Sequence, residues 1–172
     1  MTAGSARAAA ALLLGAVTLR AQAPQPPLPK FEDYHVADVF HGTPAPVKTT
    51  DSKLARTYRT RLRDAGSKGP NFAGHYTLAS WGCGTSCQDW AVIDARTGHV
   101  FESMLETSVG AEFTRDSRLM LVDTPKLAAE MFGGPPPKDC AGCAGTVGAY
   151  EWRDDKWQAV AGFGSTHVHR FK

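Results

Sequence analysis

The hydrophobic period of this chain changes from about 3.6 to about 2 at Gly69-Pro70, and that switch limits the fold more than any other feature. Upstream, Leu54, Ala55, Tyr58, Leu62 and Ala65 recur at helical spacing. This predicts one amphipathic helix over 51–65, capped by Thr50 or Asp51 and stopped by Gly66. Downstream, alternation predicts strands over 72–81, 89–95, 99–103, 112–114, 118–123, 147–153 and 156–161, with one more near Val168. Arg96-Thr97-Gly98, Arg115-Asp116-Ser117 and Asp154-Asp155 supply tight turns between them, and Pro125 suits the first position of a short helix through Met131. A helix followed by consecutive strands reads as α+β, not as a doubly wound sheet. The expectation is an antiparallel β-sheet of about five to eight strands with one main N-terminal α-helix, stapled by disulfides.

The first 23 residues read as an export signal. Arg7 gives a positive start, residues 8–19 are small or apolar, and Ala21-Gln22-Ala23 fits the small-x-small cleavage pattern. Twelve apolar residues fall short of the roughly 20 needed to span a bilayer. Residues 24–48 then form a Pro-rich leader and an edge segment, with Val36, Val39 and Phe40 ended by Pro44 and Pro46. Residues 49–172 form a single domain. The expected location is the periplasm or the extracellular space.

Charge follows from this division. The whole chain carries a formal +2, but cleavage after Ala23 removes Arg7 and Arg20 and no acid, which leaves basic and acidic residues equal in number. The basic pI therefore gives no support for nucleic acid as a partner, and the mature chain holds no membrane span. The Arg56, Arg59 and Arg63 stripe reads as the solvated side of the helix, with an anionic polymer or acidic protein as the alternative.

All four cysteines, Cys83, Cys87, Cys140 and Cys143, lie in the mature part. In an exported chain an even count reads first as disulfides, here as two local pairs, Cys83–Cys87 and Cys140–Cys143, although four cysteines permit three pairings. Cys83 and Cys87 bracket the most distinctive stretch, Trp81-Gly82-Cys83-Gly84-Thr85-Ser86-Cys87-Gln88, which follows Asn71-Phe72-Ala73-Gly74-His75-Tyr76. Glycines and small hydroxyl residues between Trp81 and Gln88 let the backbone turn sharply, and a Cys83–Cys87 ring would stiffen the turn and present Gly84, Thr85 and Ser86 to solvent.

These two stretches resemble a family of secreted bacterial proteins that carry a Phe-Ala-Gly-x-Tyr strand followed by Trp-Gly-Cys-Gly-Thr-x-Cys-Gln. The resemblance covers residues 50–125 and about thirteen matching positions. It implies secretion and carries no assigned activity and no catalytic residue. Cys140-Ala141-Gly142-Cys143 lies outside that pattern.

Several chemistries fit the residues poorly. Asp89 to Ile93 continue as a strand, whereas a phosphate nest needs a helix there. A Cys-x-x-Cys oxidoreductase normally sits at a helix start, yet Pro135 to Pro137 precede Cys140, and Ala144 stands where haem attachment requires His. A tetrathiolate zinc site would need reduced sulfur. His167 and His169 share a face of a short strand and could join His75 or His99 around a metal, although solvated histidines are the commoner outcome. The sequence thus points to an exported binding or inhibitor-like module that uses Trp81, Gly84, Thr85, Ser86, Gln88 and Trp90 against an unknown protein or cell-envelope ligand, with no cofactor. The alternative is a periplasmic thiol/disulfide redox or metal-handling protein built on the two cysteine pairs.

Overall fold

A computed structural model of the protein describes residues 26–137 and 143–171. The expected export signal and Cys140 lie outside them. After a 3-10 turn at Phe31–Tyr34 come helices α1 (Lys53–Thr57) and α2 (Arg59–Gly66), then strands β1 (Tyr76–Gly84), β2 (Cys87–Asp94), β3 (Ser103–Thr107), β4 (Ala111–Phe113) and β5 (Leu119–Val122). Helix α3 (Pro125–Phe132) precedes β6 (Gly148–Arg153), β7 (Lys156–Ala159) and β8 (Val168–Arg170).

The class is α+β, but the expected single sheet is replaced by two antiparallel sheets of four strands, ordered β1-β2-β3-β8 and β4-β5-β6-β7. Alternation gives each sheet two faces to bury. Leu78, Trp90, Val92 and Leu105 on one face of the first sheet meet Met120, Val122, Tyr150, Trp152 and Trp157 of the second, in one buried core between the sheets. The opposite face of the first sheet, with Ala79, Trp81, Ala91, Ile93 and Met104, is covered by Leu54, Ala55 and Leu62 of the helical layer. The outer face of the second sheet, with Leu119, Leu121 and Ala149, takes Phe31, Tyr34, Val160 and Phe163. All four β5 residues are buried because both of its faces are covered.

The expected continuous helix is also corrected. It breaks at Tyr58, whose φ of −104° and ψ of 23° leave the helical region, so α1 and α2 are separate segments. The start is capped by Ser52, which accepts a hydrogen bond from Ala55 N–H at 3.0 Å, in place of the expected Thr50 or Asp51. The predicted apolar face nonetheless meets the sheet. Gly66 is the last residue of α2, and a Cβ there would collide with Val47 Cγ2, so the position serves close packing. At the other short helix, Thr124 caps α3 and Gly133, at φ +66°, ends it in the left-handed conformation.

One buried carboxylate holds the crossover between the sheets. Asp123, at the end of β5 with φ +51°, accepts the backbone N–H groups of Ser108 at 2.9 Å, Val109 at 2.8 Å and Gly110 at 3.3 Å. These amides form the β3–β4 connection that carries the chain from the first sheet to the second. His167 Nε2 lies 3.5 Å from Asp123 Oδ2, while its Nδ1 lies 2.7 Å from the hydroxyl of fully buried Tyr150. The tyrosine hydroxyl donates in turn to Gly164 O at 2.8 Å. His167 is thereby committed to the fold and does not share the partner of His169, which is Asp89. No helix among the described residues is long and apolar enough to cross a membrane.

Candidate binding site at the end of the first hairpin

The stretch read from sequence as a loop after a strand is the end of a β-hairpin. β1 and β2 pair continuously from Tyr76↔Asp94 to Gly82↔Gln88, and the register shifts once between Gly82 and Gly84 so that Gly84 faces Cys87. The residue bulged out by that shift is Cys83. It is joined to Cys87 by a disulfide with Cα atoms 5.1 Å apart, which confirms the local pairing expected for these two. Only Thr85 and Ser86 remain as the turn. Ser86 sits at φ +49° and Gly84 at φ +151° with nothing near its missing Cβ, so glycine is used at position 84 for backbone conformation and not for space.

The six candidate binding residues divide into two groups. Gly84, Thr85 and Ser86 are exposed and Gln88 is half-buried. Trp81 and Trp90 are buried and serve as anchors. The Trp81 ring enters the helical layer, and Trp90 enters the core between the sheets, where its Nε1–H donates to Thr107 Oγ1 at 3.0 Å and its ring meets Phe113 edge to face. Alternation explains the split: opposite faces of β2 carry Asp89 and Trp90, and both faces are covered. The hairpin end is therefore a short solvent-facing ring set on two aromatic anchors.

Beside the ring runs a groove of about 450 Å³, lined among others by Ser80, Gly82, Ser86, Gln88, Ser108 and Met131. None of these side chains is charged, and Met131 of α3 is half exposed, giving the groove one flexible apolar wall. On the opposite face, strand pairing assembles a polar cluster. Trp81 faces Asp89 across β1 and β2, Asp89 faces Glu106 across β2 and β3, and His169 of β8 faces Met104, two residues before Glu106. Asp89 Oδ1 lies 3.3 Å from His169 Nε2. Burial pushes the Asp89 carboxyl above its ordinary range, His169 opposes that shift, and Glu106 adds to it.

Sequence reasoning singled out His169 but gave it the wrong companions. Asp89 and Glu106 were missed because the third strand was expected over 99–103, whereas it runs over Ser103–Thr107 and so brings Glu106 opposite Asp89. His75 and His99 are elsewhere, ring-packed on Tyr76 and Phe101. The Asn71-to-Tyr76 motif is a shaping device. The Asn71 side-chain oxygen accepts from Leu78 N–H at 2.8 Å, Ala73 sits at φ +42°, and a Cβ on Gly74 would collide with the carbonyl of Asp38. Cys143 is also disulfide-bonded, so with Cys83 and Cys87 it presents no thiolate for a tetrathiolate zinc site; its expected partner Cys140 is outside the described residues. No family model, no curated protein and no solved structure matches the chain.

Proposed function

We propose that this chain is an exported, non-enzymatic binding module that engages a protein or cell-envelope ligand through the ringed turn Gly84, Thr85, Ser86 and the neighbouring Gln88. The observation that carries the reading is the covalent ring itself. A two-residue turn closed by Cys83–Cys87 and anchored on both strands by buried tryptophans stands in solvent with little conformational freedom left to lose. Association normally costs about 0.5–1.5 kcal/mol for each side chain it immobilises, together with loop ordering, so a turn ordered beforehand binds at lower cost. The uncharged groove with Met131 beside it supplies adaptable contact area.

Export is the compartment in which such a ring persists, since thiols stay reduced in the cytosol of most cells. The apolar N-terminal stretch with Ala21-Gln22-Ala23 supports that location, and so does the resemblance to secreted bacterial proteins. A photo-crosslinking side chain placed at Thr85 in the expressed full chain tests the reading, with the same group at exposed Arg61 as the control. The expected result is a discrete adduct from position 85, absent from position 61 and lost when Cys83 and Cys87 are both changed to Ser. No adduct at 85, or the same adducts from both positions, overturns it.

A further inference from the structure

The face of the hairpin end opposite the groove carries a second, independent arrangement. We propose that Asp89, Glu106 and His169 hold a divalent transition-metal cation of the Zn²⁺ type, with one coordination position left to solvent or a ligand. The three residues come from β2, β3 and β8, and their ligand atoms all lie within 4.8 Å of one another. Two atoms bound at about 2.0 Å to a tetrahedral metal lie about 3.3 Å apart. Asp89 Oδ1 and His169 Nε2 already stand 3.3 Å apart. Glu106 is exposed, so a rotamer change carries its carboxylate inward at small cost.

Charge supports the same assignment. Two carboxylates meet one imidazole, and the more buried carboxylate, Asp89, is 8% exposed. A doubly charged cation between them offsets the repulsion of the two carboxylates. Trp81, 4% exposed, supplies a second observation. Its buried Nε1–H has no hydrogen-bond partner among the described residues, and Trp81 stands directly opposite Asp89 across β1 and β2. A buried N–H donor without a partner beside a carboxylate is the kind of neighbour that orients a metal ligand. One nitrogen and two oxygens suit zinc or its first-row neighbours. The sulfurs of Cys83 and Cys87 approach Glu106 as well, but as a disulfide they offer no thiolate.

Calorimetric titration of the oxidised, chelator-treated protein with zinc chloride in a non-coordinating buffer tests the site. The expected result is one saturable equivalent, with affinity reduced at least tenfold in His169→Gln and in Glu106→Gln and unchanged in His99→Gln. The first two alter side chains that are not fully buried, and circular dichroism confirms that each variant is folded. Absence of saturable uptake overturns the proposal and leaves Asp89 and His169 as a simple ion pair. Uptake that both variants retain, or that His99→Gln loses equally, overturns it too, because the cation then lies elsewhere.

Discussion

The Trp81 indole stacks on the Tyr58 ring with centroids 4.1 Å apart and planes 24° from parallel. Tyr58 is the residue at which the N-terminal helix breaks, and Trp81 is the last buried residue of β1 before the ringed turn. The break therefore has a packing reason. It lowers Tyr58 onto the sheet where Trp81 and Phe171 receive it, the latter edge to face at 5.5 Å. An uninterrupted helix would keep the same apolar stripe at the expense of that contact.

Trp81→Ala follows from this as a stability variant. Removing a buried tryptophan typically costs about 3–5 kcal/mol, through lost burial and the cavity left behind. Urea denaturation should show a loss in that range, with Trp81→Phe much milder because a ring remains on Tyr58. A loss below about 1 kcal/mol for Trp81→Ala would mean that the helical layer does not depend on this stack.

The Cys83–Cys87 ring spans few residues, so its effect on stability is small. Chain-entropy reasoning gives about 2 kcal/mol for a loop this short. The double Cys83→Ser, Cys87→Ser variant should lose no more than that, yet its amide exchange should accelerate locally at residues 83–88 while β1 and β2 beyond Trp81 and Trp90 stay protected. Uniform acceleration across both strands would show that the disulfide sustains the whole hairpin.

Periodicity made the helix face, the turns and most strands legible, because those depend on neighbours in the chain. The partition of the strands did not follow from it. Leu119, Met120, Leu121 and Val122 form a continuous apolar run, which states that both faces are covered without saying by what. The tryptophans misled for a related reason. Trp81 and Trp90 flank a glycine-rich turn, but whether an aromatic beside a turn points inward depends on the register of β1 with β2 and on the layers above and below. The polar cluster was hidden most completely, since Asp89, Glu106 and His169 meet only through two pairings between three strands.

Asp123 offers a sharper test of the crossover between the sheets. Its carboxylate accepts three consecutive amides and faces His167, and Asn in its place would turn an NH₂ group toward donors. Breaking charged, buried contacts of this kind costs about 3 kcal/mol or more. Gly145→Ala should be destabilising at the same place by another route, because Gly145 lies at φ +69° and an added Cβ would collide with Asp123 Oδ2. Combining the two variants should cost less than the sum of the singles, as the residues are in direct contact. Strict additivity in chemical denaturation would show that they act separately.

Stability should also fall in mild acid because of His75. Burial lowers the proton affinity of its imidazole, and the nearby Arg96 guanidinium lowers it further, against the weaker pull of Asp94, Asp38 and Asp155. The folded protein thus holds His75 neutral at pH values where the unfolded chain, with the ordinary value of 6.5, already binds a proton. In that window the unfolded state carries more protons, so stability rises with pH and is lost as pH drops below about 6.5 toward the lower folded value. His75→Gln removes the titration while keeping a polar side chain in the groove that His75 shares with Tyr76, Trp152 and Asp155. Denaturation midpoints between pH 5 and 7.5 should therefore slope less in His75→Gln than in the parent. The Asp38–Arg96 ion pair at 2.6 Å supplies the matching control. Arg96→Gln removes the neighbouring positive charge and should lessen the loss of stability over the same window, since the imidazole of His75 then binds its proton more readily. A parent protein whose stability is flat from pH 5 to 7.5 would contradict both expectations at once.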